Sequence, residues 1–465
     1  MRCFVVSSDT ISGRLDPQYL IALAERRRVS SKYPPVPLAD MLAGKPQYGA
    51  NEPAVDGNPK TDTRYIRITD IDEFGNLISD KWKTARSTDE KYLLKADDLL
   101  FARSGATAGK TFIYRKEHPK AIFAGYLIRF RIDQTKADPR FVFYYTQLPN
   151  YTLWVKSTQR PSGQPNINSE EFKALRIPLP PLPIQQQIVK SMETAYARKQ
   201  QQEEEANKIF DSIDAFVLQQ LGLALPEVKE SKCYSVLSEE VEGRRLDTYH
   251  YQPKFELVVE ALEKTKFKVF SLGALIADLS GGATPEVEGN FYTDSSGVPF
   301  LRVQNITKQG LELTDVKFIK REVHEVMLKR SQLQKDDLVF TITGRIGSVA
   351  VVPNGFEGNI NQHSVRFHLK EEVEGLRINP HYIATFLNTS FGNILSFRET
   401  TGGTRPALDY RALQSLRVPL PPSEIQSRIS DETKRRIIES ARLKGTAVQV
   451  LDETKQQVEA LLLGR

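Results

Sequence analysis

The chain has few of the residues from which disulfide frameworks and metal centres are built. Its 465 residues include two cysteines, Cys3 and Cys233, and six histidines. Two cysteines so far apart exclude a disulfide scaffold and a cysteine-based zinc site. The histidines also lack the spacing of metal ligands. We therefore expect no structural metal.

Long apolar runs are missing as well. No apolar stretch is long enough to span a bilayer, and the first residues, MRCFVVSSDT, lack the basic and long apolar regions of a signal peptide. We expect a cytoplasmic protein without a membrane contact. A net charge of +6 and a pI near 9.0 suit an anionic partner, but a slightly basic surface explains them equally well.

What the chain does contain is a duplication. The segment LRIPLPPLPIQQQI at 175–188 returns as LRVPLPPSEIQSRI at 416–429, and YIRITDI at 65–71 matches FLRVQNI at 300–306. The repeating unit is the size of a domain, whereas solenoid repeats are far shorter. The duplication therefore predicts two homologous domains.

Each copy has the pattern of an α+β domain. Short β-rich runs bounded by turn residues are followed by an Asx-Pro pair, Asp138-Pro139 or Asn379-Pro380, which predicts a capped helix. The predicted strands are 65–69, 98–102, 111–114 and 126–132 in the first copy, and 300–303, 338–342, 349–352 and 365–369 in the second.

A proline-rich exit and a long polar helix follow each domain. The prolines predict a stiff extended segment that directs the helix. Apolar residues then recur at helical spacing over about 38 to 40 residues. They are Ile184, Ile188, Met192, Ala195, Ile209, Ile213, Phe216 and Leu221 in the first helix, and Ile425, Ile429, Ile437, Ala441, Val448, Leu451, Val458 and Leu461 in the second. Two narrow stripes predict an antiparallel coiled coil within the chain; alternatively, each helix packs alone on its own domain.

Basic side chains recur beside Gly, Ser, Thr and Pro in predicted loops. Loops of this composition bring side chains and backbone amides to phosphates together. The candidate phosphate-contacting residues of this kind are Arg103, Lys110, Arg160, Arg345 and Arg405.

Several segments imitate catalytic motifs. GATAGKT at 105–111 has three residues between its glycines where a P-loop has four, so a turn between strands is the better interpretation. The sequence NPHY at 379–382 resembles the Asn-Pro-Pro-Tyr signature of amino-group DNA methyltransferases, but its duplicate DPRF at 138–141 favours a helix cap. Adjacent aspartates at 97–98 and 336–337 favour a turn over nuclease metal ligands.

Together, the duplicated motifs resemble the specificity subunit of type I restriction-modification enzymes. The resemblance rests on the Leu-Arg-(Ile/Val)-Pro-Leu-Pro-Pro exit followed by Ile-Gln in both halves, on the Gly-Thr-Arg-Pro loop at 403–406, and on a long helix after each half. It covers essentially the whole chain. It implies that each half reads one part of a split, asymmetric DNA site, and that the helices act as a ruler that also docks methyltransferase subunits.

The resemblance assigns residues 1–182 and 226–422 to target recognition domains 1 and 2, and residues 183–225 and 423–465 to spacer helices 1 and 2. The expected fold class is α+β, with two homologous mixed α/β domains joined and spaced by two long helices in an antiparallel coiled coil. Implied partners are double-stranded DNA, two methyltransferase subunits and nuclease/translocase subunits. No catalytic residue, metal or cofactor is expected here; S-adenosylmethionine is expected in the partner methyltransferase.

The resemblance also adds candidate site residues. Thr284 lies in a glycine-rich, Thr-Pro loop at 281–285, for which the first half offers only GKP at 44–46. The loop at 163–167 matches that of Arg405 but lacks the arginine, so a DNA contact there falls to Arg160. The residues implied for partner docking and spacing are Ile184, Ile188, Ile425 and Ile429.

Two classes of function remain after the motifs are weighed. The first is a sequence-specific DNA-binding subunit that directs partner methyltransferase and nuclease subunits and has no chemistry of its own. The alternative is a self-contained DNA-modifying enzyme, which requires a cofactor loop or metal triad that the sequence does not display. A scaffold that binds protein alone would leave the basic loops without a role.

Overall fold

The computed structural model describes residues 20–21, 31–78, 82–159, 165–227, 233–242, 245–286, 289–403 and 405–464. The chain forms two compact units. Unit 1 comprises residues 1–203 and 444–465, and unit 2 comprises residues 204–443. Each unit therefore combines one domain with a part of each long helix.

Unit 1 is mixed α/β. Its strands are β1 (Pro35–Pro37), β2 (Gln47–Tyr48), β3 (Ala54–Asp56), β4 (Arg64–Ile66), β5 (Lys83–Ala85), β6 (Leu99–Ala102), β7 (Thr111–Ile113), β8 (Ala121–Phe123), β9 (Leu127–Phe130) and β10 (Arg176–Pro178). Its helices are α1 (Pro139–Tyr145), α2 (Pro149–Thr158), α3 (Ser169–Lys173) and the first part of α4 (Leu182–Leu221). Single 3-10 turns occupy Leu38–Met41, Ile68–Asp70 and Glu90–Tyr92.

The centre of unit 1 is an antiparallel sheet in the order β2-β9-β6-β7, and β4 pairs in parallel with β8. The central strands β6 and β9 are buried on both faces. The apolar side chains of one face belong to a core that includes Leu100, Phe112 and Leu127, whereas those of the other face form a larger core with α1, α2, α3 and the long helices. This core includes Phe101, Phe130, Phe141, Phe172, Ile188 and Leu462.

Unit 2 repeats this plan with additions. Its strands are β11 (Lys268–Ser271), β12 (Ile276–Gly281), β13 (Tyr292–Thr293), β14 (Val298–Leu301), β15 (Ile306–Thr307), β16 (Gly310–Leu311), β17 (Lys317–Ile319), β18 (Leu338–Thr341), β19 (Val349–Val351), β20 (Asn359–Ile360), β21 (Ser364–Leu369), β22 (Glu372–Val373), β23 (Leu376–Arg377) and β24 (Arg417–Leu420). Its helices are α5 (Ser238–Val241), α6 (Pro253–Glu263), α7 (Leu272–Leu275), α8 (Pro380–Asn388), α9 (Ser390–Arg398), α10 (Tyr410–Ser415) and the first part of α11 (Ser423–Leu463). A π-helical turn spans Val323–Met327, and 3-10 turns span Val303–Asn305 and Lys329–Ser331.

The main sheet of unit 2 has the order β12-β21-β18-β19, the same arrangement as in unit 1, and β14 pairs in parallel with β20 as β4 does with β8. Phe340 of β18 faces Val365 of β21, as Phe101 of β6 faces Ile128 of β9. The predicted α+β fold and its duplication are therefore confirmed.

The Asx-Pro pairs cap helices. The side-chain oxygen of Asp138 accepts the N–H of Arg140 at 2.8 Å, and that of Asn379 accepts the N–H of His381 at 2.9 Å. Each proline lies at the start of its helix, where the absent N–H costs no hydrogen bond. The methyltransferase-like sequence at 379–382 is thus a helix cap, as predicted.

The paired aspartates occupy turns, also as predicted. Asp97 and Asp336 adopt positive φ angles of 69° and 65°. The second aspartate of each pair is buried and accepts a backbone N–H: Asp98 from Lys95 at 3.0 Å and Asp337 from Gln334 at 2.9 Å.

A buried arginine accompanies Asp98. Arg129 lies 3.4 Å from its carboxylate, and burial lowers the pKa of the Arg129 guanidinium while Asp98 opposes that shift. Arg131 donates to the same carboxylate at 2.8 Å. The aspartate is therefore satisfied within the protein, and its observed role is to hold the turn before β6.

The long helices run antiparallel inside each unit. Unit 1 contains the beginning of α4 and the end of α11, and unit 2 contains the end of α4 and the beginning of α11. In unit 2 the hydroxyl of Ser440 donates to the carbonyl of Ala206 at 2.9 Å across the two helices. The antiparallel pairing is as predicted, but part of the predicted stripe is wrong: Ala441 and Val448 are exposed. Small residues such as Ser440, Ala206 and Ala447 are buried instead.

The proline-rich exits are extended, but strand pairing holds them. Pro178 lies in β10, which pairs with β1, and Pro419 lies in β24, which pairs with β11. Helix α4 begins at Leu182, so Pro183 lies in its first turn, where proline is tolerated. Hydrogen bonds to the preceding domain therefore reinforce the stiffness expected from proline.

Candidate nucleic-acid interface

Four loops meet at one end of the main sheet in each unit. In unit 1, two of these loops come directly after β2 and β6, and the other two come directly before β9 and α3. The backbone N–H of Arg103 donates to Tyr126 at 2.9 Å, and that of Ile167 donates to Arg103 at 2.8 Å. In unit 2, Ile342 donates to His363 at 3.0 Å, and Leu408 donates to Ile342 at 2.9 Å. The same backbone frame therefore carries different side chains in the two halves.

The loops of unit 1 enclose an open cleft of about 370 Å³. The side chains around it are polar or aromatic, and small glycine residues complete the wall. The lining residues are Tyr48, Gly49, Asn51, Arg103, Ser104, Gly125, Tyr126 and Asn166. Amide, hydroxyl and guanidinium groups of this kind are the groups with which proteins read base edges and hold phosphates.

Arg103 is the cation of this cleft. Its guanidinium carbon lies 5.0 Å from the centre of the Tyr48 ring, within the range of a cation–π contact. Its Nε is buried and has no hydrogen-bond partner in the described part of the chain. Tyr126 beside it is 62% exposed. Arg103 is half-buried, and a guanidinium beside an aromatic ring in a polar cleft suits a planar acceptor such as a base edge or phosphate.

The equivalent loops of unit 2 form a hydroxyl-rich surface. The hydroxyl of Thr343 lies 2.7 Å from Nδ1 of His363, and the hydroxyl of Thr284 bonds to the side-chain oxygen of Gln362. Arg345 and Arg405 are both exposed in these loops. The structure thus brings Thr284 near His363 through the adjoining Gln362, and His363 has a hydrogen-bonding role.

The structure corrects the pairing of the glycine-rich loops. Tyr48 faces Ile128 and Gly281 faces Val365 at equivalent places in the two sheets. Gly49 is therefore the counterpart of Gly282, and a Cβ on either glycine would overlap the carbonyl oxygens of the neighbouring chain segment. The counterpart of the 281–285 loop is thus 48–52 rather than 44–46. The two loops share a glycine at the point where the backbone passes close to a neighbouring segment.

Both halves place a tyrosine ring at the same point of the loop surface, but the tyrosine comes from a different position in each half. In unit 1 the hydroxyl of Tyr48 lies 3.2 Å from the hydroxyl of Ser169, the first residue of α3. In unit 2 the residue equivalent to Ser169 is Tyr410, the first residue of α10, and the residue equivalent to Tyr48 is Gly281. A side chain at Gly281 would collide with the Tyr410 hydroxyl. Each unit therefore keeps one partly exposed tyrosine at this place.

The remaining predicted DNA contacts have different outcomes. The ammonium of Lys110 donates to the carbonyl of Ile71 at 2.8 Å, so the turn at 105–111 uses it to hold a neighbouring segment. Arg160 lies outside the described residues. DNA contact by either residue stays a prediction.

The four isoleucines predicted for partner docking divide into two pairs. Ile188 and Ile429 are 2% and 0% exposed, respectively, because they pack into the apolar core of their own unit. Their side chains therefore fix the long helices to their own units, and a part in docking or spacing stays a prediction for all four isoleucines. Ile184 and Ile425 are half-buried against the same cores.

Sequence reasoning missed Tyr48, Tyr126, Asn51 and Asn166. These residues are scattered over three loops, and only the fold brings them together. Among the residues that the structure describes, no group of three or more His, Cys, Asp or Glu side chains is placed to hold a metal ion. No helix in the described ranges is both long and apolar enough to cross a membrane.

Comparison with known proteins identifies relatives at modest identity. The StySPI specificity subunit of Salmonella potsdam, a type I restriction enzyme component, is 27% identical over 172 residues, which are 36% of this chain and 36% of the relative. The EcoBI specificity subunit of Escherichia coli is 22% identical over 308 residues, which are 65% of this chain and 59% of the relative. The chain thus matches less than two thirds of the length of each.

A solved structure described as the structural basis of complex assembly and conformational transition of the type I R-M system is 16% identical. The match covers 94% of this chain and 97% of that chain, with a TM-score of 0.48. The family model for the type I restriction modification DNA specificity domain matches residues 51–209 and 264–435. These two ranges cover most of the chain, and they contain all of the loops described above except residues 48–50. The chain therefore belongs to the type I restriction modification DNA specificity domain family and carries two such domains.

Proposed function

We propose that this chain is the DNA-recognition subunit of a type I restriction-modification enzyme and has no catalytic step of its own. Membership of a DNA specificity family supports recognition and gives no support to a self-contained modifying enzyme. The single observation that carries the proposal is the polar loop cleft of unit 1, where the guanidinium of Arg103 lies over the ring of Tyr48 beside the exposed Tyr126. We place this function in the cytoplasm, where the DNA is accessible.

In this proposal each domain reads one part of a split, asymmetric site in double-stranded DNA. The backbone frame of the loops is shared, whereas the side chains differ: Arg103 and Tyr126 in unit 1 stand where Ile342 and His363 stand in unit 2. Different side chains on one frame suit two different base sequences. Arg345, Arg405 and Thr284 are exposed and suited to phosphate or base contacts. For Arg160 and Lys110 the proposed DNA contact rests on the sequence alone.

Two methyltransferase subunits and nuclease/translocase subunits are the proposed protein partners. The methyltransferase would supply the chemistry and bind S-adenosylmethionine. The long helices would provide docking surface and set the distance between the two half sites. Docking would fall on exposed residues of α4 and α11, because Ile188 and Ile429 are buried in their own units.

The experiment has two parts. Sequencing the methylated positions in the host genome supplies the DNA site, and a duplex with that site is then titrated with the complex at several salt concentrations. Arg103→Ala is expected to weaken binding by about 1–3 kcal/mol and to relax discrimination at one base pair. Arg345→Ala and Arg405→Ala test unit 2 in the same way, and a pure phosphate contact would lower the salt slope by about one without relaxing any position.

Lys116→Ala serves as the control. Lys116 is exposed in the turn after β7, at the opposite end of the sheet from the loops. Its removal should leave sequence discrimination unchanged. If Arg103→Ala, Arg345→Ala and Arg405→Ala all behave like this control, the loops are not the DNA surface.

A domain exchange tests whether each domain reads its own half of the DNA site. Replacing residues 1–176 with the equivalent domain of a related subunit should change one half of the methylated sequence only. Changes in both halves at once would contradict independent reading by the two domains.

A further inference from the structure

Unit 2 contains a cavity of about 510 Å³ against its long helices. Hairpin β15–β16, strand β19 and helices α8, α4 and α11 surround it. Its apolar lining includes Phe210, Ile213, Val351, Ala384 and Ile437, and Ile438, which also lines it, is 57% exposed. This volume lies within the range of roughly 300–1,000 Å³ typical of ligand pockets.

In unit 1, aromatic rings occupy the equivalent region. The duplicated motifs place equivalent residues 241 positions apart here, as Leu175 and Leu416 are. Phe143 therefore corresponds to Ala384, and Tyr196 corresponds to Ile437. In unit 1 the Phe143 ring lies 5.1 Å from that of Tyr144, which lies 5.6 Å from that of Tyr196. Unit 2 thus carries a much smaller side chain at Ala384 and an aliphatic one in place of a ring at Ile437.

A third ring comes from a hairpin tip. In unit 1, residues 72–76 form the tip, and the Phe74 ring lies with its centre 3.9 Å from Nζ of Lys199 on α4 and 5.7 Å from Nζ of Lys455 on α11. The tip in unit 2, residues 307–310, is one residue shorter and contains no aromatic residue. The ring that reaches the helices in unit 1 therefore has no counterpart from the hairpin of unit 2.

One polar group in the cavity lining is unsatisfied. Thr433 is 7% exposed, and its hydroxyl has no hydrogen-bond partner in the part of unit 2 that the structure describes. The equivalent residue of unit 1 is Met192, which carries no such group. Because an unpaired buried hydroxyl is costly, Thr433 indicates a ligand that supplies the missing partner.

We propose that this cavity receives an aromatic side chain, a tyrosine or tryptophan, from the methyltransferase subunit that docks on unit 2. The proposal rests on the proposed function, since it requires a protein partner at the helices. The apolar lining and the rings of unit 1 define an aromatic occupant, and Thr433 favours one whose O–H or N–H can donate a hydrogen bond. The resulting contact distinguishes the two docking positions, because unit 1 fills its own site with Phe74.

The first test fills the cavity from within. Ala384→Phe introduces the residue that unit 1 has at Phe143, and it should weaken binding of the methyltransferase subunit to the full chain at least tenfold. The thermal unfolding midpoint of unit 2 reports whether the variant still folds. Val326→Phe is the matched control, because Val326 is 75% exposed and lies outside the cavity; it should leave the affinity unchanged.

The second test removes the unpaired hydroxyl without changing the shape of the side chain. Thr433→Val should weaken methyltransferase binding about fivefold, the effect of losing one hydrogen bond, while leaving the unfolding midpoint unchanged or higher. This variant keeps the question open to experiment if Ala384→Phe fails to fold.

A photo-crosslinking amino acid at Ile438 identifies the occupant directly. A crosslinked methyltransferase peptide that contains tyrosine or tryptophan supports the proposal. If the wild-type chain binds the methyltransferase and neither variant changes the affinity, the cavity proposal is overturned while the proposed function stands. Indole or p-cresol binding to the free chain, with unchanged methyltransferase affinity in Ala384→Phe, assigns the cavity to a small molecule and overturns it too. No binding by the wild-type chain contradicts both proposals.

Discussion

The side-chain oxygen of Gln185 accepts a hydrogen bond from the backbone N–H of Asp138 at 2.9 Å. The amide nitrogen of the same glutamine donates to the carbonyl of Pro180 at 2.8 Å. One buried side chain therefore ties the start of α1 to the proline-rich exit just before α4. This explains why the glutamine belongs to the duplicated motif.

The second copy repeats this arrangement. Gln426 accepts from the N–H of Asn379 at 2.9 Å and donates to the carbonyl of Pro421 at 2.8 Å. It also donates to the carbonyl of Arg377 at 2.8 Å. Each glutamine fixes where a long helix leaves its own domain.

Gln185→Leu is expected to destabilise unit 1. The substitution keeps the volume but leaves the N–H of Asp138 and the carbonyl of Pro180 without their partner, at a cost of about 1–3 kcal/mol for each buried group. Urea unfolding measures the loss. Gln186→Leu is the control, since Gln186 is exposed one position further along α4. Equal stability of the two variants would contradict a role for the buried hydrogen bonds.

Lys110→Met separates a structural contact from a DNA contact. The lost hydrogen bond to Ile71 should lower the free energy of unfolding by about 1–3 kcal/mol, because the bond is charge-assisted. If Lys110 serves only this structural contact, the salt dependence of DNA binding should stay the same. A salt slope that falls by about one would instead show that Lys110 neutralises a phosphate.

Lengthening both helices tests the ruler. The contact between Ser440 and Ala206 gives the facing level of the pair. We expect that one heptad added to α4 between Gln200 and Glu205, and one added at the facing level of α11, preserves the seam. The helices then grow by about 10 Å, or two to three base pairs of DNA.

The bases read in each half should stay the same while the unread spacer lengthens, and sequencing of the methylated sites detects the change. Lower activity is expected, because the duplex turns by about 100° over the added length. Methylation confined to the original spacing would show that the helices do not set the distance.

Glu432 predicts a pH effect on α11. Its carboxylate accepts hydrogen bonds from Arg435 and Arg436, both at 2.7 Å, which hold its pKa at about 2, below the usual 4.5. A lowered pKa in the folded state stabilises the fold above about pH 4.5, and this contribution disappears as the pH falls through 2.

Glu432→Gln should therefore lower the thermal midpoint at pH 7 and have a shrinking effect between pH 4.5 and 2. The difference should be small, about 1 kcal/mol or less, because the pair is near the surface. A difference that does not depend on pH would contradict the ion-pair explanation.

Much of the fold follows from local pattern. The strands around Leu99 and Leu338 and the capped helices at Pro139 and Pro380 were predicted because alternation, turn residues and Asx-Pro caps act over a few residues. The helix seam was predicted only in part. A helix seam can be predicted from sequence where large apolar residues form it. In this chain the small residues Ser440, Ala206 and Ala447 are buried, and small residues are hard to recognise as seam positions from hydrophobicity alone.

The candidate site was less predictable for a related reason. Basic residues in loops can be found one at a time, as Arg103 and Arg345 were, but the cleft depends on loops distant in the chain. The pairing of Gly49 with Gly282 was missed because it is set by a close backbone contact rather than by matching letters. Likewise, Lys110 differs from an exposed loop cation only through its bond to Ile71.

The exchange of ring position between Tyr48 and Tyr410 has a consequence for how such a chain diversifies. A tyrosine introduced at Gly281 meets the Tyr410 hydroxyl, so at least two positions, far apart in sequence, must change together. Stepwise mutation between the two loop architectures therefore passes through an intermediate that packs poorly. Recombination that transfers an uninterrupted domain moves both partners at once. This architecture consequently favours inheritance of each loop surface as a single block of sequence.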